Sequence, residues 1–144
     1  MRDDLSVSSR PDPGDAANEL ECLPYSVQHE DEGVCLLVRM GPHRILLDCG
    51  LGDISYLTRD ITKSAQKGSS SLPADLVLVS HAHPDHARGL LALNQAFPLM
   101  PIYASEVTSK LLPLNWPEQA PEEIPSFCQA LPLRSPIEIQ ENLV

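Results

Sequence analysis

A chain of 144 residues, 42% hydrophobic and 21% charged, is long enough for one domain with a modest core. Its formal net charge of −10 is uneven: residues 1–34 carry −7 and residues 116–144 carry −4, whereas residues 35–115 sum to +1. The central cations Arg39, Arg44, Arg59, Lys63, Lys67, Arg88 and Lys110 are scattered, which excludes a basic stripe. Acidity confined to the ends says nothing against a nucleic-acid partner for the centre.

In chain order, Met1 to Leu20 is polar and holds Pro11, Pro13 and Gly14 without an apolar block, so residues 1–20 are expected to be a disordered acidic tail. This stretch does not read as a secretory leader, and no later run approaches the roughly 18 apolar residues of a membrane span. A cytoplasmic location follows as the expectation, with residues 21–144 forming the folded part. Leu23 to Val27 reads as an edge strand, where Pro24 is tolerated. His29 lies in a polar turn and reads as solvated. Val34 to Met40 and His43 to Asp48 form a hairpin across Gly41-Pro42, with His43 exposed beside the turn. Gly50-Leu51-Gly52-Asp53 would let backbone approach a site closely, and Asp53 reads first as a helix cap or surface position and second as a group supporting the site. A short helix is expected within 54–67, followed by the flexible Gly68-Ser69-Ser70-Ser71.

Leu76 to Ser80 is an apolar, β-branched run that reads as a buried strand, and Ala87 to Phe97 carries Leu90, Leu91, Leu93 and Phe97 near helical spacing. Phe97-Pro98 stops that helix. Ile102 to Ala104 is the next strand, and Ser105 caps a helix over 106–112. Eight of the fourteen prolines fall between Pro98 and Pro136, so residues 113–125 read as an irregular loop that Trp116 anchors by packing. Cys128 to Leu133 and Ile137 to Ile139 are short strand candidates. None of Cys22, Cys35, Cys49 and Cys128 shows Cys-x-x-Cys spacing, and Cys35 and Cys49 read as buried reduced thiols. A ligand role for Cys49 beside Asp48 is the weaker reading.

The chemistry lies between the strand at 76–80 and the helix after it, in His81-Ala82-His83-Pro84-Asp85-His86. Three imidazoles and a carboxylate within six positions must be hydrogen-bonded, solvated or bound. Where a strand ends, His81 and His83 can point to one side and converge on a cation, while Asp85 and His86 on the next turn can converge on a second point. Imidazole nitrogen suits zinc and related metals, and the carboxylate of Asp85 can also take a proton from water. The competing reading is a solvated polar loop with coincidental histidines.

His81-x-His83-x-Asp85-His86 after a hydrophobic strand resembles the signature of the metallo-β-lactamase superfamily, and Asp48 in Arg44-Ile45-Leu46-Leu47-Asp48-Cys49-Gly50 resembles its earlier Asp. The stretches Cys35-Leu36-Leu37-Val38 and Pro101-Ile102-Tyr103-Ala104-Ser105 further resemble the β-CASP branch, of the ribonuclease J and cleavage-factor type. The resemblance runs from about Cys22 to Leu112. It implies an α/β fold of αββα type, present here as an incomplete form with one mixed sheet and flanking helices. It implies that His81 and His83 hold one zinc, that Asp85 and His86 hold a second, and that Asp48 supports the site from behind. Asp85 would be both ligand and catalytic carboxylate.

The function implied is a metal-dependent phosphodiesterase that processes RNA. A thioester or ester hydrolase of the hydroxyacylglutathione type is the alternative within the superfamily, and a non-catalytic interaction fragment is the alternative outside catalysis. No histidine follows His86, whereas a catalytic zinc takes three protein ligands plus water. The chain is therefore expected to be the amino-terminal part of a longer domain, marginally stable, weak in metal binding and inactive by itself.

Overall fold

The apolar runs that alternate as a pleated strand demands do pair side by side. A computed structural model describes residues 19–27, 32–65 and 71–138. The strands are β1 (Leu20–Val27), β2 (Val34–Met40), β3 (His43–Leu47), β4 (Leu76–Leu78), β5 (Ile102–Ser105) and β6 (Cys128–Leu131), in one mixed sheet whose spatial order follows the chain. β1, β2 and β3 are antiparallel neighbours, and β3 to β6 run parallel to one another. The helices are α1 (Ser55–Ala65), α2 (Pro84–Ala87), α3 (Leu90–Ala96) and α4 (Glu106–Leu111), with 3-10 turns at Leu112–Asn115 and Pro121–Glu123. This is the mixed α/β sheet with helices that the sequence leads one to expect.

Period-two alternation sorts each strand's side chains between two faces. Cys35, Leu37, Leu46, Val77, Val79, Ile102 and Ala104 share one core with Leu57, Leu90, Leu91, Leu93 and Trp116. On the other face Ile45 and Leu76 are buried, with Leu47, Leu78 and Tyr103 half-buried beside them. A slip of one residue would exchange these sets. Register is held at the start of β4 by Arg44 and Asp75: the Arg44 backbone N–H donates to Asp75 Oδ2 at 2.7 Å, and its guanidinium donates to Oδ1 at 2.9 Å. The Asp75 N–H returns a bond to the Arg44 carbonyl at 2.8 Å, which sets Ile45 against Leu76.

Several local expectations are met for visible reasons. β1 is an edge strand whose register shifts between Pro24 and Ser26, where proline removes a ladder donor. Gly41 takes a φ of 55° in the hairpin turn. Asp53 caps α1, accepting the Ser55 N–H and hydroxyl at 2.9 Å each, and those bonds hold its carboxyl below the usual range. Ser105 Oγ accepts the Thr108 N–H at 3.1 Å. Trp116 is buried and meets Phe127 edge-on, with 6.0 Å between ring centroids.

Other expectations need correction. The helix after the motif begins at Pro84 rather than Ala87 and is split at Arg88-Gly89, where the Gly89 N–H donates to the Cys49 carbonyl at 2.9 Å instead of to the carbonyl one turn back. His43 is half-buried within β3. Residues 137 and 138 form no strand, and Ile139 lies outside the described residues, as do His29, residues 66–70 and nearly all of the amino-terminal tail. No helix among the described residues is long and apolar enough to cross a membrane.

Leu46 is fully buried at the centre of the sheet. Leu46→Ala is predicted to lower the urea-unfolding free energy by about 2–5 kcal/mol.

Candidate metal centre

β3 and β4 are parallel neighbours, so their carboxyl-terminal ends open on the same edge of the sheet, where open α/β sheets receive ligands. β3 delivers Asp48 and β4 delivers Ser80 and His81. Asp48 is 6% exposed and adopts a φ of 59°, a left-handed conformation that a non-glycine residue enters at a cost. Its surroundings hold it there. The Asp48 N–H donates to the Leu78 carbonyl at 2.9 Å, and its carboxylate accepts the Ser80 N–H and the Ser80 hydroxyl at 2.7 Å each.

The same carboxylate settles which nitrogen each ring leaves open. His86 Nδ1 lies 2.8 Å from Asp48 Oδ2, and a carboxylate only accepts, so Nδ1 carries the proton and Nε2 keeps its lone pair. The Ser80 hydroxyl has already donated to Asp48, so toward His81 Nδ1, 2.8 Å away, it can only accept. His81 Nδ1 is therefore also the protonated atom, and its Nε2 is open. One buried carboxylate thus presets two imidazoles, one directly and one through a serine, in the pattern of metal-ligating histidines.

Donor atoms of His81, Asp85 and His86 lie within 4.8 Å of one another, close enough to share a cation. His86 Nε2 is 3.6 Å from Asp85 Oδ2. The His81 ring is tilted against that of His86 with centroids 4.1 Å apart, and His83 stands edge-on to His81 at 4.8 Å. His83 therefore flanks the trio and is not within it. Two free imidazole lone pairs with one carboxylate are a donor set that suits zinc.

Backbone contacts press this loop onto the hairpin. The Cys49 N–H donates to the His86 carbonyl and the Gly89 N–H to the Cys49 carbonyl, each at 2.9 Å. Arg88 Nε donates to the Gly50 carbonyl at 2.8 Å. A Cβ on Gly33 or Gly50 would run into the Asp85 backbone carbonyl, so both positions require glycine. Gly52 has no such neighbour: only Glu32 Oε1 comes within 3.6 Å of a Cβ there. Cys49 is fully buried as a free thiol hydrogen-bonded with the free thiol of Cys35, which that hydrogen bond and burial push far above its ordinary value. Cys49 is packing, not a ligand. On the far side of His81 and His83 a groove of about 530 Å³ is walled by Ala82, Pro84, Val107, Leu111 and Leu114.

Of the residues singled out in sequence, the structure gathers His81, Asp85 and His86, ties Asp48 to His86 and sets His83 alongside. Ser80 and Gly33 were not singled out. Ser80 carried a signal, a hydroxyl placed between an apolar strand and the first histidine, and Gly33 carried none.

The close approach gives a matched pair of variants. Gly50→Ala is predicted to cost about 1–3 kcal/mol in urea unfolding by displacing the Asp85 carbonyl, whereas Gly52→Ala stays within about 0.5 kcal/mol of wild type.

Residues 43–143 match the β-lactamase superfamily domain. The chain is 48% identical over 135 residues to an uncharacterized protein of Synechocystis sp., covering 94% of this chain and 22% of that protein. It is 31% identical over 93 residues to a ribonuclease of Thermus thermophilus, covering 65% of this chain and 21% of the ribonuclease. The chain thus spans about a fifth of the length of the curated relatives it matches. Among solved structures, the metallo-β-lactamase FIM-1 of Pseudomonas aeruginosa in its mono-zinc form aligns with a TM-score of 0.44 and 20% identity, over 67% of this chain and 41% of that one.

Proposed function

The chain belongs to the metallo-β-lactamase superfamily, and from that premise we propose that it supplies ligands to the zinc centre of a hydrolase that cleaves RNA phosphodiesters, of the β-CASP type. The observation that carries the cation reading is the pair of open Nε2 atoms on His81 and His86, set by Asp48 and Ser80 beside the Asp85 carboxylate. The ribonuclease of Thermus thermophilus, at 31% identity, supports the choice of RNA.

In this reading His81, Asp85 and His86 hold a cation, and His83, edge-on to His81, completes or extends the set. A divalent cation there supplies Lewis acidity to the scissile phosphoryl group and lowers the pKa of water toward about 7. The protein's part is positional and electrostatic. Asp48 fixes the His86 ring and, through Ser80, the His81 ring. Asp85 adds negative charge at the centre and is placed to accept a proton from an attacking water.

Because the ligands present within this chain are few, occupancy is driven by excess cation. In excess zinc the chain is predicted to bind the cation weakly and to leave an end-labelled RNA uncut by itself. His81→Ala or His86→Ala is predicted to abolish that binding in a competition titration. Zinc binding that survives either substitution would contradict the proposal, as would a wild-type chain that binds no zinc at any excess. Asp48→Asn is predicted to weaken zinc binding by about 10–100-fold in a competition titration.

A further inference from the structure

One turn outside the sheet grips the backbone of the histidine loop. Asn115 closes the 3-10 turn Leu112–Asn115, and its Nδ2 donates to the Ala82 carbonyl at 2.9 Å and to the Leu112 carbonyl at 3.0 Å. Ala82 is the residue between His81 and His83. The next residue, Trp116, donates its indole N–H to the Arg88 carbonyl at 3.2 Å, just past α2. Two consecutive side chains therefore hold carbonyls on both flanks of Pro84–Ala87. The pair is itself anchored, since Trp116 is buried in the main core.

Asn115 Oδ1, by contrast, is buried with no hydrogen-bond partner among the described residues. An apolar side chain of similar volume would avoid burying an unsatisfied acceptor. What the carboxamide gives in return is its pair of N–H bonds, one of which reaches the histidine segment.

We propose that Asn115 is a positioning residue, which fixes the Ala82 carbonyl and thereby the spacing and facing of His81 and His83 at the cation centre. This rests on the cation reading given above. Asp48 holds the loop through His86 and Ser80, and Asn115 holds it through the Ala82 carbonyl, in a groove that His81, His83 and Asn115 all line. The simpler role, ending the 3-10 turn through the Leu112 carbonyl, would confine the effect of its loss to residues 112–116.

Two variants separate these roles. Asn115→Leu keeps the branched heavy-atom shape and removes both the donor and the orphan acceptor. Asn115→Asp keeps the shape and sets an acceptor against the Ala82 carbonyl. The first measurement is amide hydrogen exchange without metal at His86, Ala87 and Arg88, whose N–H bonds to the His83 and Pro84 carbonyls close α2. The second is a cobalt(II) titration followed by its visible absorption. In Asn115→Leu, exchange at these three amides is expected to rise while the melting temperature stays near that of wild type. Cobalt affinity is expected to fall about tenfold or more, with a changed band shape. Faster exchange only at 112–116, with cobalt binding unchanged, would overturn the proposal. If wild type binds no cobalt, the cation reading fails, and exchange at 86–88 alone decides whether Asn115 positions the loop.

Discussion

The structure depends on one buried carboxylate. Asp48 sits where β3 ends, in a left-handed conformation that costs roughly 1–2 kcal/mol for an ordinary residue and is tolerated better by aspartate. Three donors converge on it: the Ser80 N–H, the Ser80 hydroxyl and His86 Nδ1. A buried carboxylate is stable only when it is satisfied in this way. Meeting that requirement also ties the ends of two parallel strands to the first turn of α2, and the loop that carries the histidines has little freedom left.

The rest of the local architecture follows from that tie. Drawing α2 down onto the hairpin brings backbone against backbone, so Gly33 and Gly50 have no room for a side chain, and neither has Gly89, which lies against Cys49 and Leu51. Arg44 and Asp75 act at the opposite end of the strand pair. By fixing Ile45 against Leu76 they place Ser80, a few residues on, level with Asp48. Chemistry at one edge of the sheet is thus aligned by an ion pair at the other.

Much of this is legible in the sequence because it is local. Alternation over 34–40 and 43–47, the Gly41-Pro42 turn, the Asp53 and Ser105 caps and the spacing of His81, His83, Asp85 and His86 each follow from a few adjacent residues. What escaped depends on contacts between distant ones. The bond from Ser80 to Asp48 exists only once the parallel register is set, and it is that bond which gives His81 its tautomer. Gly33 reads as an ordinary turn glycine until the Asp85 carbonyl lies across it. Asn115, within a proline-rich stretch that reads as irregular loop, gains its meaning only when the 3-10 turn folds back on Ala82. The helix expected over 87–97 is broken for the same reason, since at Gly89 the backbone N–H is taken from across the fold by the Cys49 carbonyl.

Family membership and geometry meet at the two rings whose Nε2 atoms are left open. The most direct test is long-range ¹H–¹⁵N NMR of the histidine side chains in metal-free protein, in alkaline buffer where the rings are neutral. His81 and His86 should both appear as Nδ1-protonated tautomers, and Asp48→Asn should shift both toward the tautomer mixture of an unconstrained histidine side chain. Nε2-protonated rings at these two positions in the wild-type chain would contradict the account.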